Sequence, residues 1–382
     1  MLPVVALLNA VGLVVIYRLD LAERPGYGPL AERQMLWSLV GVGLMVLTLM
    51  VIRDHKSLSR YSYLLGLVGL ILLALPLVWP QPPGYEEARI WLWLGPFSIQ
   101  PGEFSKILLL IFFAQLLAQK RALFTVAGKR FLGMTFPRIR DLAPILMVWA
   151  IAILIMGISN DFGPALLLFA TVLGMVYFAT GRASWLFIGV GLVAVGGYAV
   201  YQVSSKIQER VSNFIDPFAD FDGIGNQPAN ALIGLSWGGI TGTGLGYGHP
   251  ELVPVAHSDY ILAALGEELG FVGIAAVLCL FAVFITRGFR TAMQARDSYG
   301  KLLASGLALT IVIQIFVVAG GVSAMLPMTG LTTPFMSAGG SSVMANYILL
   351  GLLLRISNSA NRPADYDAVA AGTARPEAVG AR

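Results

Sequence analysis

The sequence predicts an all-α polytopic membrane protein with about ten transmembrane helices and large structured extracytoplasmic loops, and three observations carry that prediction. Of its 382 residues, 57% are hydrophobic and only 12% are charged, whereas about one quarter of an ordinary soluble domain is charged. The apolar residues form separate stretches long enough to cross the hydrocarbon core, which takes about 17–25 helical residues. The connections alternate between basic segments and long segments rich in glycine, proline and tryptophan.

Each apolar stretch is predicted to form one span. The first lacks the basic segment that precedes the apolar core of a secretory signal, so it is predicted to remain as a helix. The single cysteine, Cys279, lies inside an apolar stretch and cannot form an internal disulfide. The predicted spans are 2–17, 35–52, 62–79, 104–119, 142–158, 163–180, 184–202, 259–286, 302–326 and 343–356.

The charges of the connections predict the orientation of the chain. Cytoplasmic loops carry an excess of Lys and Arg, and the basic connections follow the second, fourth, sixth and eighth spans. Both termini are therefore predicted to lie in the cytoplasm, with residues 357–382 forming a disordered tail. Arg18, Arg24 and Arg33 run against this rule, because they fall in the first outer connection. Three long connections are predicted to face out, namely 80–103, 203–258 and 327–342.

The first outer motif is ARIWLWLGPFSIQPGEFSK, residues 88–106. Pro101 can open a helix, and Glu103 then lies in the first turn, where the helix dipole favours an acid. Lys106 follows three residues later on the same face. One interpretation is a salt-bridged helix start. The other is a charged outer platform in which Arg89 and Lys106 face an anionic headgroup.

Three further outer motifs can be interpreted from local pattern. In SNDFGPALLLF, Asp161 is predicted to be the N-cap of the helix that Pro164 begins. GGITGTGLGYG lacks the lysine and the preceding strand of a phosphate loop, so a soluble-nucleotide site is not expected there. TGLTTPFMSAGGSS, residues 329–342, is predicted to fold back toward the membrane, where irregular backbone must line a cavity or be buried; the alternative is an exposed turn. Turn residues rather than metal ligands are predicted at Asp216, Asp220 and Asp222.

Three acids in HSDYILAALGEELG raise the question of which one does chemistry. On a straight helix, Asp259 and Glu267 are separated by about 12 Å and about 80° around the axis, and Glu268 lies on the face opposite Asp259. A two-carboxylate glycosidase site, with its separation of about 5–10 Å, is therefore not encoded by this segment alone. Residues 269–285 are uncharged, so they are predicted to cross the hydrocarbon core. Both glutamates are then placed near its outer edge, and Asp259 lies closer to the outer membrane surface.

Together, these motifs closely resemble those of the SEDS family of bacterial cell-wall proteins, typified by RodA and FtsW, and RodA-type members most. The resemblance covers residues 1–356 as one transmembrane domain. The first motif resembles the family's ARRW…LG…QPSE…K element, and SNDFGPALL resembles its QPDLGT…L element. RVSNFIDPFAD, HSDYILAALGEELGFVG and TTPFMSAGGSS resemble its RV…F.DP..D..G, HTDFIFA…EELG..G and LPF.SYGGSS elements. The chain departs from the common pattern at Gly102, Asn160, Asn230, Ser258 and Ala338.

The resemblance implies a peptidoglycan glycosyltransferase that polymerises lipid II, the undecaprenyl-diphosphate-linked disaccharide pentapeptide, at the outer face of the cytoplasmic membrane for cell-wall elongation and cell shape. It implies a class B penicillin-binding protein as partner, and neither an organic cofactor nor nucleic acid is expected. The family's essential aspartate maps to Asp259, which is predicted to be the general base.

The leaving diphosphate needs positive charge, and Arg89, Lys106 and Arg210 are the outer-side candidates, helped by a divalent cation, Mg²⁺ or Mn²⁺. Support for the site is expected from Glu103, Asp161, His257, Ser258, Glu268, Ser337, Gly339 and Gly340. A milder defect is expected for Glu267→Gln than for Asp259→Asn, because the position of Glu267 is less constrained.

Three other functions remain open at this point. A lipid II flippase would also need intramembrane charges, although the motif acids and bases cluster on the predicted outer side. An FtsW-like polymerase specific for division would use the same chemistry. A scaffold that only recruits the transpeptidase would not need the Asp259 carboxylate.

Overall fold

A computed structural model describes residues 1–22, 29–82, 89–95, 97–125, 130–131, 134–135 and 139–361, with no side-chain description for 120–145. The described chain is almost entirely helical, as predicted. Two short antiparallel hairpins were not predicted: β1 (Leu92–Leu94) with β2 (Phe97–Ile99), and β3 (Arg130–Phe131) with β4 (Met134–Thr135). The helices are α1 (Leu2–Asp20), α2 (Leu30–Val51), α3 (Lys56–Arg60), α4 (Ser62–Val78), α5 (Pro101–Thr125), α6 (Ile139–Ile158), α7 (Phe162–Thr180), α8 (Ser184–Val203), α9 (Ser205–Ile215), α10 (Asn226–Gly238), α11 (Ile261–Gln294), α12 (Ser298–Val322) and α13 (Gly340–Asn361).

The long helices overlap all ten predicted spans. Among the described residues, eight helices are long and apolar enough to cross a membrane, namely α1, α2, α5, α7, α8, α11, α12 and α13. The remaining two predicted spans correspond to the shorter apolar helices Ser62–Val78 and Leu146–Ile158. The last helix continues to Asn361, beyond the predicted end at 356, and the predicted tail residues 362–382 lie outside the described residues.

The helices form a bundle around α5, α12 and α13, which are the most buried of the eight long helices. In contrast, α8 is almost fully exposed along its apolar length. A helix that is apolar on all sides is stable in lipid because its backbone groups are satisfied internally. The bundle therefore has a protein core on one side and a peripheral helix suited to contact with lipid.

The connections meet at two opposite ends of the bundle, in agreement with the predicted alternation. At one end, the buried His55 ring bonds Asp297 at 2.8 Å and so joins the two basic connections that follow α2 and α11. At the other end, Arg89, Asp161, Arg210 and the 321–330 segment line adjoining cavities. The candidate site residues thus lie at the end where the long connections gather.

The long connection 203–258 contains ordered helices, although its sequence shows no strong periodicity. It includes α9, α10 and a 3₁₀ turn at Pro250–Leu252. The Ser204 side chain caps α9 by accepting a hydrogen bond from Ile207 N at 3.4 Å. Asp216 and Asp220 are turn residues as predicted, since each carboxylate accepts a backbone hydrogen bond a few residues further on.

The glycine-rich run in this connection fills a break in α11. Gly270 has φ 66° and ψ −168°, which divides α11 in two and leaves peptide groups on both sides of the break without intrahelical partners. The glycine run satisfies those groups through its own backbone, and it can approach closely because Gly238 and Gly242 have no side chain at the contact. The bonds are Thr243 N to Glu267 O (3.0 Å), Gly244 N to Glu268 O (3.0 Å), Phe271 N to Gly239 O (2.9 Å) and Val272 N to Ile240 O (3.1 Å). This glycine run therefore binds the backbone of α11.

The arginine that ran against the charge rule is paired with a glutamate of α11. Arg18 Nε lies 2.8 Å from Glu268 Oε1, and Arg18 Nη2 lies 3.5 Å from Glu251 Oε2. Glu268 is 2% exposed, so its charge needs a close partner. The prediction that Glu268 pairs with a neighbouring span is confirmed, and Arg18 lies in the last turn of α1 rather than in the connection that follows it.

Replacing Arg18 with Met is expected to destabilise the protein by about 3–5 kcal/mol, because removing one member of a buried ion pair leaves the other charge unpaired. The double variant Arg18→Met/Glu268→Gln should be more stable than Arg18→Met alone. Thermal unfolding in detergent measures both, with Arg33→Met as a control at an exposed arginine near the start of α2. Additive losses in the double variant would contradict the pairing.

Candidate active site

Asp259 lines a cleft of about 130 Å³ between α9, α10 and the connection after α12. The polar residues of the cleft include Arg210, Asn213, Gln227 and Tyr260. Because α11 begins at Ile261, Asp259 lies in the turn before it, and the helical geometry assumed for it in the sequence is wrong. The turn lets the carboxyl face the cleft independently of the direction of α11.

The environment of Asp259 makes it more basic than an ordinary carboxylate. Burial raises its pKa to about 6, against the opposing effects of a backbone hydrogen bond and of the Arg210 charge. A carboxylate with such a pKa is still mostly ionised at neutral pH and accepts a proton more readily than a solvated one. This combination suits a general base.

A second, narrower cavity adjoins this cleft and holds the charged residues of the first motif. It is lined by Gln100, Glu103, Lys106 and Asp161, and an adjacent part that shares Gln100 and Asp161 is lined by Arg89. Lys106 Nζ lies 2.6 Å from Glu103 Oε2, and both residues are buried. The predicted pairing is confirmed, and the pair also lines a cavity, so the two interpretations of this motif do not exclude each other.

The interpretation of Asp161 as a capping residue is wrong in its chemistry. Asp161 occupies the N-cap position of α7, but its side chain makes no capping hydrogen bond. Instead it lines both parts of the second cavity. Burial and the nearby charge of Glu103 raise its pKa to about 7, against the effects of Lys206 and Arg210. Near neutral pH it therefore holds a proton more readily than a solvated aspartate.

Arg210 lines the Asp259 cleft and lies near Asp161 of the second cavity. Its charge acts on both Asp161 and Asp259, and its Nη1 donates to Thr329 O at 3.0 Å. The same carbonyl lies against Gly163, where a Cβ would approach it to 2.5 Å. The segment around Thr329 thus forms the wall between the cavities, with Arg210 held against it.

The TTPFMSAGGSS motif is buried in the protein, so the alternative of an exposed turn is wrong. Thr333, Phe335 and Ser337 are each 1% exposed. Ser337 Oγ donates to Ser258 O at 2.5 Å, and Ala338 N donates to His257 O at 2.8 Å. This segment therefore packs directly against the turn that carries Asp259.

The structure does not gather all predicted site residues. Glu268 pairs with Arg18, away from the residues that line the two cavities. Gly339 N donates to the side chain of Gln34, and Gly340 leaves room for the Trp37 ring, which would lie 2.8 Å from a Cβ. These residues stabilise the surrounding structure, and neither glycine is among the residues that line the two cavities.

Several polar residues of this region were missed in the sequence. Asn9, Gln34 and Gln314 are buried amides whose side chains bond the backbone of residues 332–339. The sequence did contain a signal for them, since an amide side chain inside an apolar span needs a hydrogen-bond partner. The sequence did not indicate which partner.

A resident metal ion does not fit the described residues. Among them, no three His, Cys, Asp or Glu side chains lie close enough together to hold a metal ion. Of the two carboxylates in the second cavity, Glu103 is already bonded to Lys106.

Comparison with known proteins agrees with the motifs. The family model described as a cell cycle protein, which covers FtsW, RodA and SpoVE, matches residues 1–362. The chain belongs to this family. A family member named peptidoglycan glycosyltransferase RodA, from Mycobacterium tuberculosis (strain ATCC 25618 / H37Rv), is 53% identical over 367 residues, which are 95% of this chain and 78% of the relative.

Solved structures of family members share the fold. The crystal structure of Thermus thermophilus rod shape determining protein RodA is 25% identical, with a TM-score of 0.65, covering 95% of this chain and 97% of that one. A chain from a structure titled as a peptidoglycan synthase complex that coordinates polymerisation and crosslinking is 26% identical, with a TM-score of 0.73, covering 95% and 98%. With its apolar helices, the chain is a multi-pass membrane protein.

Proposed function

We infer that the chain is a peptidoglycan glycosyltransferase, the activity for which its 53% identical relative is named, and that it polymerises lipid II into glycan strands. The observation that carries the inference is the Asp259 cleft, where a basic carboxylate and Arg210 face the same space. The RodA name of that relative supports a role in elongation and cell shape rather than in division.

In the proposed reaction, the 4-hydroxyl of one GlcNAc attacks C1 of the MurNAc of a second lipid II. Asp259 takes the hydroxyl proton as the new C1–O bond forms. The bond between C1 and the diphosphate oxygen breaks, and undecaprenyl diphosphate leaves with the bonding electron pair. The cleft position lets a sugar reach Asp259 while the lipid tail stays in the bilayer.

Arg210 is the strongest candidate for stabilising the leaving diphosphate. It faces the Asp259 cleft and also acts on Asp161, and guanidinium groups bind phosphate oxygens bidentately. Lys106 contributes less free charge because Glu103 balances it. Arg89 is exposed at the adjacent part of the second cavity, where it can meet the anionic headgroup. The partial protonation of Asp161 reduces repulsion of that headgroup.

The rate of polymerisation is expected to fall as the pH is lowered through about 6. The pKa of Asp259 is raised to about 6, so the proton-bound form, which cannot act as a base, dominates below that value. Initial rates from pH 5 to 8 at lipid II concentrations well below KM measure this, because kcat/KM reports the pKa of the free protein. The folded fraction of the protein is recorded at each pH. A flat profile down to pH 5 would contradict a base with this pKa.

We further propose that both termini lie in the cytoplasm and that the two cavities open on the outer face of the cytoplasmic membrane. The support is the excess of Lys and Arg at the opposite end of the bundle. A class B penicillin-binding protein is the proposed partner, supported by the similarity to a chain from a synthase complex. A divalent cation would enter with the substrate diphosphate, as Mg²⁺ commonly does.

Purified protein in liposomes, supplied with lipid II on the outer side with and without the transpeptidase, tests the proposed function. Glycan chains are expected. Transfer of lipid II across the bilayer without chain formation would favour the flippase. Recruitment of the transpeptidase without either activity would favour the scaffold.

A further inference from the structure

The segment 329–339 is irregular backbone held from several sides by side chains of distant helices. Buried peptide groups outside regular structure need partners, and here those partners are side chains. Arg210 of α9 bonds Thr329 O at 3.0 Å, and Gln314 of α12 bonds Thr332 O at 2.7 Å. Asn9 of α1 bonds Phe335 O at 3.2 Å. Each bond crosses from one helix to the same short segment.

Gln34 of α2 makes the most complete of these contacts. Its Nε2 donates to Ser337 O at 2.9 Å, and its Oε1 accepts from Gly339 N at 3.1 Å. Both halves of the amide are thus used on residues two apart, and the side chain is 2% exposed. The amide places a neutral donor and a neutral acceptor side by side, which matches a carbonyl and an N–H group two residues apart.

The residues held by Gln34 in turn hold the turn before α11. Ser337 Oγ donates to Ser258 O, and Ala338 N donates to His257 O. Asp259 follows directly in the chain. Two successive sets of hydrogen bonds therefore connect Gln34 in α2 to the backbone that carries the carboxylate of the cleft.

The backbone of this segment also needs to be held. Phe335 has φ 63°, a left-handed backbone conformation that residues other than glycine rarely adopt. The carbonyl of Met336 lies against Gly12, where a Cβ would approach it to 2.5 Å. Such a conformation persists only when the surrounding structure imposes it. Loss of one of the side-chain hydrogen bonds to this segment should therefore let its backbone move to a more favourable conformation.

We propose that Gln34 is a positioning residue for polymerisation, which fixes residues 337–339 and through them the turn that carries Asp259. Its side chain does not line the cleft, and it acts only through the backbone. The activity arm of the test rests on the proposed function, whereas the structural arm does not.

The structural arm measures amide hydrogen exchange by mass spectrometry on the full chain in nanodiscs. Gln34→Met keeps the volume and removes both hydrogen bonds. Faster exchange is expected in peptides covering 253–260 and 331–339, with no change in α5. Ser105→Ala is the matched control, because it removes a fully buried side-chain bond to Gly69 O elsewhere in the bundle. Unchanged exchange at 253–260 in Gln34→Met would overturn the proposal.

The activity arm compares the same proteins with lipid II. Displacement of a catalytic group by about 1 Å can cost 10²-fold, so kcat of Gln34→Met is expected to fall by about 10- to 100-fold with little change in KM. The acid limb of its pH profile should also move to lower pH as water reaches Asp259. A fall in activity with an unmoved pH profile would mean a purely structural role and overturn the proposal.

Ser337→Ala provides a second variant if Gln34→Met does not fold. It removes the hydroxyl bond to Ser258 O together with the bond that Thr333 N donates to the same hydroxyl, and it keeps the backbone groups that Gln34 binds. The double variant should lose no more activity than the more affected single variant, because both act along one path; multiplied losses would contradict this. If the wild type itself makes no polymer, the proposed function fails, and the exchange result still decides the role of Gln34.

Discussion

Asp259→Asn is expected to reduce polymerisation of lipid II by about 10²–10⁴-fold, the usual contribution of a general base. The amide has nearly the same shape as the carboxyl but cannot accept the hydroxyl proton. Since Asp259 is placed by its backbone turn, the fold and the binding of the transpeptidase should be retained. Polymer formed from purified lipid II, resolved by gel electrophoresis, measures the effect.

Asp222→Asn is the matched control, because Asp222 is an exposed aspartate of the same long connection. It should leave polymerisation unchanged. Thermal unfolding of both variants should stay near that of the wild type. Near-normal polymer from Asp259→Asn would rule out Asp259 as the base and return the scaffold to consideration.

Gly270→Ala is expected to destabilise the protein by about 3 kcal/mol or more. Its φ of 66° with ψ of −168° is available essentially only to glycine, and a Cβ would collide with the backbone of Ile240 and Gly242. The glycine run would then lose its bonds to the break in α11, and the connection that leads to Asp259 would lose its anchor. Both folded yield and polymerisation should fall.

Gly191→Ala in α8 is the control for this variant. That glycine is helical and exposed, with no neighbouring atom within 4 Å of a Cβ. Alanine there should be neutral or slightly stabilising, since it reduces the entropy of the unfolded chain. Size-exclusion profiles and thermal unfolding in detergent distinguish the two. A Gly270→Ala protein as stable as the wild type would contradict the reported backbone.

How far the sequence predicts the site depends on whether the deciding interaction is local. Glu103 and Lys106 were correctly paired because they lie one helical turn apart. Asp161 was assigned to a cap because its neighbours in the chain favour one, whereas its environment comes from α5 and α9. Asp259 was placed on a helix because the apolar pattern begins near it, and the turn depends on contacts with residues 337–338.

The sequence by itself determined the spans, the predicted orientation and the motif residues, because apolar length and the distribution of charge are properties of the chain alone. The tertiary structure alone decided which groups meet. Arg18 forms an ion pair with Glu268, the glycine run bonds the backbone at the break in α11, and Gln34 bonds Ser337 and Gly339. The physical reason is that a buried polar group must form a hydrogen bond. The sequence shows which polar groups will be buried, but the partner comes from a distant helix and depends on the fold.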